Sequence, residues 1–118
     1  MNAEINDLTC RLIEFRDERD WRQFHSLKNL ITGVSLEASE LLKLTQWSGD
    51  GEVEDRLNDG DFRHRLGEEA ADVFVYLLLI CERANIDLID ATHSKINTNA
   101  AKYPVDKARG SSRKYTDL

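Results

Sequence analysis

The chain has 118 residues, 41% of them hydrophobic, with one proline, six glycines and a formal net charge of −6. Length and composition predict a single folded domain over residues 1–118 rather than a disordered chain. The acidic balance argues against an extended DNA- or RNA-binding surface. It leaves room for a small phosphorylated substrate, because a divalent cation can bridge acidic side chains to phosphate oxygens.

The apolar residues recur at helical spacing and no stretch alternates with a period of two, which predicts an all-α, four-helix bundle-like fold. The first helix is expected from about Ile5 to Arg19. The second is expected from Ser26, a good N-cap residue, to about Trp47. Residues 49–60 are polar and glycine-containing, which indicates a loop.

The third helix is predicted from about Asp61 to Asn85 and the fourth from Asp87, another N-cap candidate. Pro104 should end the fourth helix near Tyr103, because the residue before a proline avoids helical geometry. Residues 105–118 form a basic tail with two possible interpretations. They are either a frayed terminus or a segment that folds over an anion.

The cysteines and the apolar runs indicate the cellular compartment of the protein. Cys10 and Cys81 form no C-x-x-C pair and are expected to be buried thiols in a reducing compartment. The first ten residues lack the basic and apolar segments of a secretory signal. The longest apolar run, 73–81, is too short to span a bilayer. We therefore expect a cytoplasmic protein without a membrane partner.

Four carboxylates occupy unexpected positions on the second and third helices. On the second helix Glu37 falls in the middle of an apolar stripe and Glu40 flanks it; the stripe consists of Leu30, Val34, Leu41 and Leu44. On the third helix Glu69 lies at the centre and Asp72 beside it; that stripe consists of Phe62, Leu66, Val73, Tyr76 and Ile80. Carboxylates that serve solubility lie on the opposite face of a helix.

Burying charged groups without compensation is costly, so these carboxylates must be protonated, paired or bound to a cation. Lys43, Arg65 and Lys102 are scattered partners, whereas Mg²⁺ or Mn²⁺ prefers such oxygen ligands. The ordinary alternative for one E-x-x-E is a solvated face. A di-iron site is a weaker alternative, because His64 and His93 lie near predicted helix starts, away from Glu37 and Glu69.

Glu37-x-x-Glu40 followed by Glu69-x-x-Asp72 resembles the metal motif of the MazG-like all-α nucleoside triphosphate pyrophosphohydrolases. Within that superfamily the chain looks most like the dCTP pyrophosphatase branch. The resemblance covers nearly the whole chain, through the segments ERDWRQFHSLKNL, LEASELLKLTQW, GEEAADVFVYLL, KINTNAAKYP and SSRKYTDL.

The resemblance implies that Mg²⁺ is bound by Glu37, Glu40, Glu69 and Asp72. It also implies a base pocket that uses Trp21 and Trp47, with Tyr76 near the metal, and makes pocket roles possible for His25 and Asn29. Lys102, Arg109 and Lys114 are candidates to neutralise phosphates. The ordinary alternatives are hinge packing for the tryptophans, capping for His25 and Asn29, and solvation for the cations. Two departures, Leu12 where relatives often have histidine and Leu27 where many have proline, make the base preference less secure than the reaction.

The expected reaction is attack of water on the α-phosphorus of a deoxynucleoside triphosphate, with release of pyrophosphate. Glu40 is the candidate for orienting the water, Glu37 is essential for the metal, and Lys102 stabilises the leaving group. Two alternatives remain open. One is a metal-stabilised module that binds a nucleotide or protein without hydrolysis; the other is a structural bundle whose acidic residues face a subunit boundary.

The third helix is apolar on much of its circumference, because Phe74, Val75 and residues 77–79 add to its stripe. A helix that is apolar all round is buried, and one short chain offers few neighbours to cover it. We therefore expect a homo-oligomer. The resemblance suggests a homotetramer built from two tight dimers.

Overall fold

A computed structural model describes residues 2–118, which are helical and contain no β-strand. The predicted all-α class is confirmed. The four predicted helices correspond to the four longest observed ones. Residues 2–85 and 86–118 form two compact units, and each is described by itself.

The first unit begins with two capped helices. Helix α1 spans Ala3–Glu18, and the Asn2 side chain accepts a hydrogen bond from the Ile5 backbone N–H at 3.1 Å. A 3₁₀ turn, Arg22–Phe24, leads to α2, Leu27–Lys43. The predicted cap at Ser26 is confirmed, because its hydroxyl accepts from the Asn29 backbone N–H at 3.1 Å.

The connection after α2 differs from the prediction in two respects. Helix α2 ends at Lys43 rather than near Trp47, because the backbone N–H groups of residues 44 and 45 donate to carbonyls three residues back, which is the 3₁₀ pattern rather than the α-helical one. Residues 49–60 are not a plain loop, since they contain helix α3, Asp50–Asp55, and a 3₁₀ turn, Arg56–Asn58. Two acidic residues of this segment, Asp50 and Glu52, lie in the first turn of α3, where they interact favourably with the helix dipole.

Helix α4, Gly60–Ala84, is the longest helix and the centre of the first unit. The Asp59 side chain caps its start, and Asn85 ends it in the left-handed conformation with φ 56°. Both α1 and α2 pack against α4. The most deeply buried apolar side chains are Leu30 of α2 and three from α4, which are Phe62, Leu78 and Leu79.

The second unit contains helix α5, Leu88–Lys102, and the basic tail. The predicted cap is confirmed, because the Asp87 carboxylate accepts from the Asp90 backbone N–H at 3.1 Å. The tail forms helix α6, Val105–Ala108, and a 3₁₀ turn, Tyr115–Asp117. The Tyr115 ring packs edge-to-face on Tyr103 at 5.9 Å between centroids, so the tail is folded onto α5 rather than frayed. Across residues 2–118, no helix is both long and apolar enough for a membrane span.

Candidate functional site

Helices α2 and α4 run antiparallel, and the candidate site lies along the line where they meet. Glu37 lies opposite Glu69 and Asp72, whereas Gly33, one turn earlier in α2, lies opposite Tyr76, one turn later in α4. Side chains from one face of each helix therefore form consecutive layers between the helices.

Three of the four predicted carboxylates come together in one layer. One oxygen from each of Glu37, Glu69 and Asp72 lies within 4.8 Å of the other two. Glu37 and Glu69 are half-buried and Asp72 is exposed. The apolar stripes thus place these carboxylates between the helices, as their positions in the sequence predict.

Glu40 lies outside this three-oxygen cluster. Its carboxylate pairs with the ammonium of Lys43 at 2.9 Å and is half exposed. It is nevertheless close enough to affect Glu37 electrostatically. Burial raises the pKa of Glu37, and the negative charges of Asp72, Glu69 and Glu40 raise that pKa further.

The donor set suits a hard divalent cation. Mg²⁺ takes oxygen ligands at about 2.1 Å, so two ligands on opposite sides of one ion lie about 4.2 Å apart. Ligands at right angles on the same ion lie only about 3 Å apart, so the three oxygens, which are within 4.8 Å of one another, would have to move closer together to bind one ion. A bound cation would also offset the mutual repulsion that the raised pKa of Glu37 reflects.

Tyr76 occupies the layer next to the carboxylates and packs directly on the backbone of α2. A Cβ atom at Gly33 would lie 2.8 Å from Cδ1 of the Tyr76 ring and still closer to Cε1. Only glycine leaves room for an aromatic ring this close to a helix backbone. The role of Gly33 is not predictable from the sequence, because an isolated glycine inside a helical pattern indicates close packing only when its neighbour is known.

A pocket of about 370 Å³ lies beyond Tyr76, at the amino end of α2. Leu30, which lines it, precedes Glu37 by seven residues, or about 10 Å along the helix axis. The remaining lining is mostly polar and includes three arginines against one carboxylate; it comprises Arg16, Arg22, Gln23, His25, Ser26, Leu79, Glu82 and Arg83.

Two pocket residues have buried polar atoms. Arg16 is only 7% exposed and pairs with Asp17 at 2.9 Å and with Glu82 of α4 at 3.6 Å. The Nδ1 atom of His25 is buried without a hydrogen-bond partner within the described residues. Burial lowers the pKa of His25, and the positive charge of Arg16 lowers it further, so the imidazole is neutral at pH 7.

The two tryptophans lie beyond opposite ends of α2, a 17-residue helix about 25 Å long. Trp21 precedes the helix, is 42% exposed and packs edge-to-face on Phe15 at 5.6 Å. Trp47 follows the helix and is 89% exposed. One base cannot contact both indoles of the same chain. Asn29 is engaged locally, because its side-chain N–H donates to the Phe24 carbonyl at 3.0 Å.

The predicted phosphate-binding cations belong to the second unit. The ammonium of Lys102 lies 4.9 Å from the centroid of the Tyr115 ring, a cation–π contact. Arg109 and Lys114 are exposed. Their assignment to phosphates remains a prediction.

Neither histidine of the di-iron alternative belongs to the carboxylate cluster. His64 is exposed and pairs with Glu68 at 2.7 Å, and His93 is exposed on α5. Both cysteines are free thiols, but the expectation that both are buried is wrong for Cys10, which is exposed on α1. Cys81 is half-buried, and burial raises the pKa of its thiol.

The fold and the site together define an all-helical protein with an acidic centre between two antiparallel helices. A model of the MazG-like family matches residues 33–118. The dCTP pyrophosphatase 1 proteins of Rattus norvegicus and Homo sapiens are each 44% identical over 114 residues, which cover 97% of this chain and 67% of theirs. The crystal structure of a pyrophosphatase from Archaeoglobus fulgidus has a TM-score of 0.77 and 39% identity, covering 88% of this chain and 95% of that one.

The chain therefore belongs to the MazG-like family. The matched region includes every residue of the carboxylate cluster and the whole second unit, whereas Trp21 and His25 precede it. The similarity to the dCTP pyrophosphatases extends over those residues as well.

Proposed function

We propose that this chain hydrolyses a deoxynucleoside triphosphate, with dCTP preferred, to the monophosphate and pyrophosphate. The chain is a nucleoside triphosphate pyrophosphohydrolase, an activity that fits the removal of unwanted nucleotides from the cellular pool. The preference for dCTP is supported by the 44% identity to dCTP pyrophosphatase 1 of two mammals. The cluster of Glu37, Glu69 and Asp72 is the single structural observation that carries the catalytic part of the proposal.

The cluster would hold Mg²⁺ or Mn²⁺, which when bound supplies positive charge to the phosphate oxygens and lowers the pKa of water. Glu37 and Glu69 are half-buried between α2 and α4, so packing restricts their positions before substrate binds. Asp72 is exposed and closes the cluster from the solvent side. Glu40 remains a candidate fourth ligand, which requires it to release Lys43.

Glu40 is also the proposed base. Its carboxylate is open to solvent and lies next to the cluster, so it can accept a proton from an incoming water molecule. The water oxygen bonds to the α-phosphorus while the bond from that phosphorus to the bridging oxygen breaks. Pyrophosphate leaves, and Lys102 is the proposed cation that stabilises its charge.

The order of layers along α2 and α4 suits an extended nucleotide. Phosphates at the carboxylates place the sugar beside Tyr76 and the base in the pocket near His25, about 10 Å further along the helix. A neutral imidazole suits an uncharged base. The Tyr76 ring occupies the space beside the sugar and would disfavour a ribose 2′-hydroxyl.

We further propose that the second stacking residue comes from another copy of the chain. Trp21 and Trp47 cannot reach one base within a chain, so Trp47 would act on a nucleotide held by its partner. This arrangement agrees with the expected homotetramer of tight dimers. A mixture of Trp47→Ala chains, which bind dCTP weakly, and inactive Glu37→Gln chains should regain activity at a low dCTP concentration, because a mixed pair holds one complete site. Absence of any recovery after subunit exchange would refute the exchange of tryptophans.

The reaction is tested by pyrophosphate release from a panel of ribo- and deoxyribonucleoside triphosphates, with Mg²⁺, with Mn²⁺ and with a chelator. We expect cation-dependent turnover led by dCTP. Glu37→Gln should abolish it, whereas the matched control Glu68→Gln, on an exposed residue of α4, should not. Binding of nucleotides without pyrophosphate release would indicate the non-hydrolytic module instead. Turnover that a chelator leaves unchanged would refute the role of the cation.

A further inference from the structure

The turn after α2 carries Trp47 on an exposed segment. The indole is 89% exposed, and within the described residues no aromatic contact of the kind that Trp21 makes supports it. A side chain with so few contacts can be fixed only through the backbone that carries it. The position of Trp47 therefore depends on what holds this turn.

Arg56 holds the turn on both sides of Trp47. One terminal nitrogen of its guanidinium group donates to the carbonyl oxygen of Leu44 at 3.3 Å, and the other donates to the hydroxyl of Ser48 at 2.9 Å. Leu44 is the C-cap of α2, where carbonyl groups lack helical partners and positive charge is favourable. The two acceptors are three residues before and one residue after Trp47.

The same guanidinium group connects this turn to α4. Its central carbon lies 6.0 Å from the centroid of the Phe62 ring, within range of a cation–π contact. Phe62 is 7% exposed and lies in the first turn of α4, the helix that carries Glu69 and Asp72. Arg56 is itself half-buried, so its geometry is restricted by packing as well as by hydrogen bonds.

We propose that Arg56 is a positioning residue for Trp47 and thereby contributes to binding of the nucleobase. The inference rests on the proposed function, in which Trp47 stacks on the base. A planar guanidinium group can bridge two acceptors in a fixed geometry, which a lysine ammonium cannot do with the same precision. A purely structural role for Arg56 would lower the stability of the protein without changing substrate affinity through Trp47.

The test is a double-mutant cycle on KM and kcat for dCTP, with Trp47→Ala, Arg56→Gln and the double variant. Loss of one stacking contact should raise KM about 5- to 150-fold for Trp47→Ala. Arg56→Gln should raise KM by a smaller factor, about 3- to 10-fold, with kcat nearly unchanged, because the indole is still present but less well placed. In the Trp47→Ala background the Arg56 change should have no further effect on KM. Arg63→Gln, on an exposed arginine of α4, is the matched control and should leave KM unchanged.

The outcomes separate the inference from the function on which it rests. A raised KM for Trp47→Ala with an unchanged KM for Arg56→Gln would overturn the inference alone, as would equal effects of Arg56→Gln in both backgrounds. An unchanged KM for Trp47→Ala would overturn the stacking role and the inference with it. If Arg56→Gln does not fold, Arg56→Lys is compared with the parent protein by the fluorescence anisotropy of Trp47, both in a Trp21→Phe background. Lower anisotropy supports the inference, and unchanged anisotropy overturns it.

Discussion

Replacing Gly33 by alanine tests the packing of Tyr76 on α2. In an open helix interior this change stabilises a protein by about 1 kcal/mol, because glycine has more conformational freedom to lose on folding. At Gly33 the new Cβ would lie 2.8 Å or less from three atoms of the Tyr76 ring. Overpacking of this kind costs about 1–3 kcal/mol. We therefore expect Gly33→Ala to be between neutral and about 2 kcal/mol less stable than the parent protein.

The matched control is Gly67→Ala in α4, where a Cβ would meet nothing within 4 Å. This variant should gain only the stability that the higher helix propensity of alanine provides, about 1 kcal/mol. The two variants should therefore differ by about 1–3 kcal/mol. Since the unfolding entropy is about 2.1 cal/mol/K per residue, 1 kcal/mol corresponds to about 4 °C for 118 residues. The difference in Tm should be about 4–12 °C, measured at one protein concentration because an oligomer's Tm depends on it.

The same substitution should alter substrate selection, because the ring must move away from α2 and toward the position proposed for the sugar. We expect the ratio of kcat/KM for dCTP over CTP to change in Gly33→Ala and to stay constant in Gly67→Ala. Truncating the ring in a Gly33→Ala, Tyr76→Leu double variant should remove the clash, so the effects on stability should not add. Equal Tm values for Gly33→Ala and Gly67→Ala would refute the close packing of Tyr76.

Three further predictions concern the charged groups. Burial and its acidic neighbours raise the pKa of Glu37, so the folded protein holds the proton of that carboxyl more tightly than the unfolded chain does. Without divalent cations, the free energy of unfolding should therefore fall as pH rises above 4.5. Glu37→Gln should flatten this part of a urea-unfolding pH series. Asp72→Asn should lower pyrophosphate release at least about 100-fold, whereas Glu68→Gln on the same helix should not. Arg16→Ala should cost about 2–4 kcal/mol of unfolding free energy, and Arg16→Met, which keeps the apolar stem, at most half as much, as measured by urea unfolding. The first prediction is contradicted by a pH series that Glu37→Gln leaves unaffected, and the second by equal losses of activity in the Asp72 and Glu68 variants. The third is contradicted by equal stabilities of the two Arg16 variants.

The helices and the acidic centre were predictable from local pattern. A carboxylate in the middle of an apolar stripe must face the partner helix, so the positions of Glu37 and Glu69 in the sequence are enough to assign them to a common site. The caps at Ser26 and Asp87 were predictable for a similar reason, since each involves only residues within one turn. Such features depend on spacing along the chain and little else.

Two features that the sequence did not reveal depend on groups distant in the sequence. The layer formed by Gly33 and Tyr76 requires the register of α2 against α4, which periodicity does not define. The pocket is formed by segments between Arg16 and Arg83 that only tertiary packing brings together. Glu40 has the right spacing to join the cluster, but an i,i+3 pair with Lys43 competes for its carboxylate. An E-x-x-E motif does not show whether its second glutamate pairs with a neighbouring lysine or joins a metal site.

In the proposed function, the positions of the two tryptophans connect catalysis to assembly. Large apolar side chains remain exposed on both helices of the acidic centre, including Leu36 at 62% and Leu42 at 58% on α2, and Phe74 and Leu77 at 37% each on α4. Burying apolar surface contributes about 25 cal/mol per Å², so a second copy that covers these side chains would stabilise both chains. The same copy would have to supply the indole that one chain cannot bring to its own base. An enzyme built in this way has a stacking site for the base only after its subunits have assembled, so substrate affinity and oligomerisation are expected to respond to the same interface substitutions.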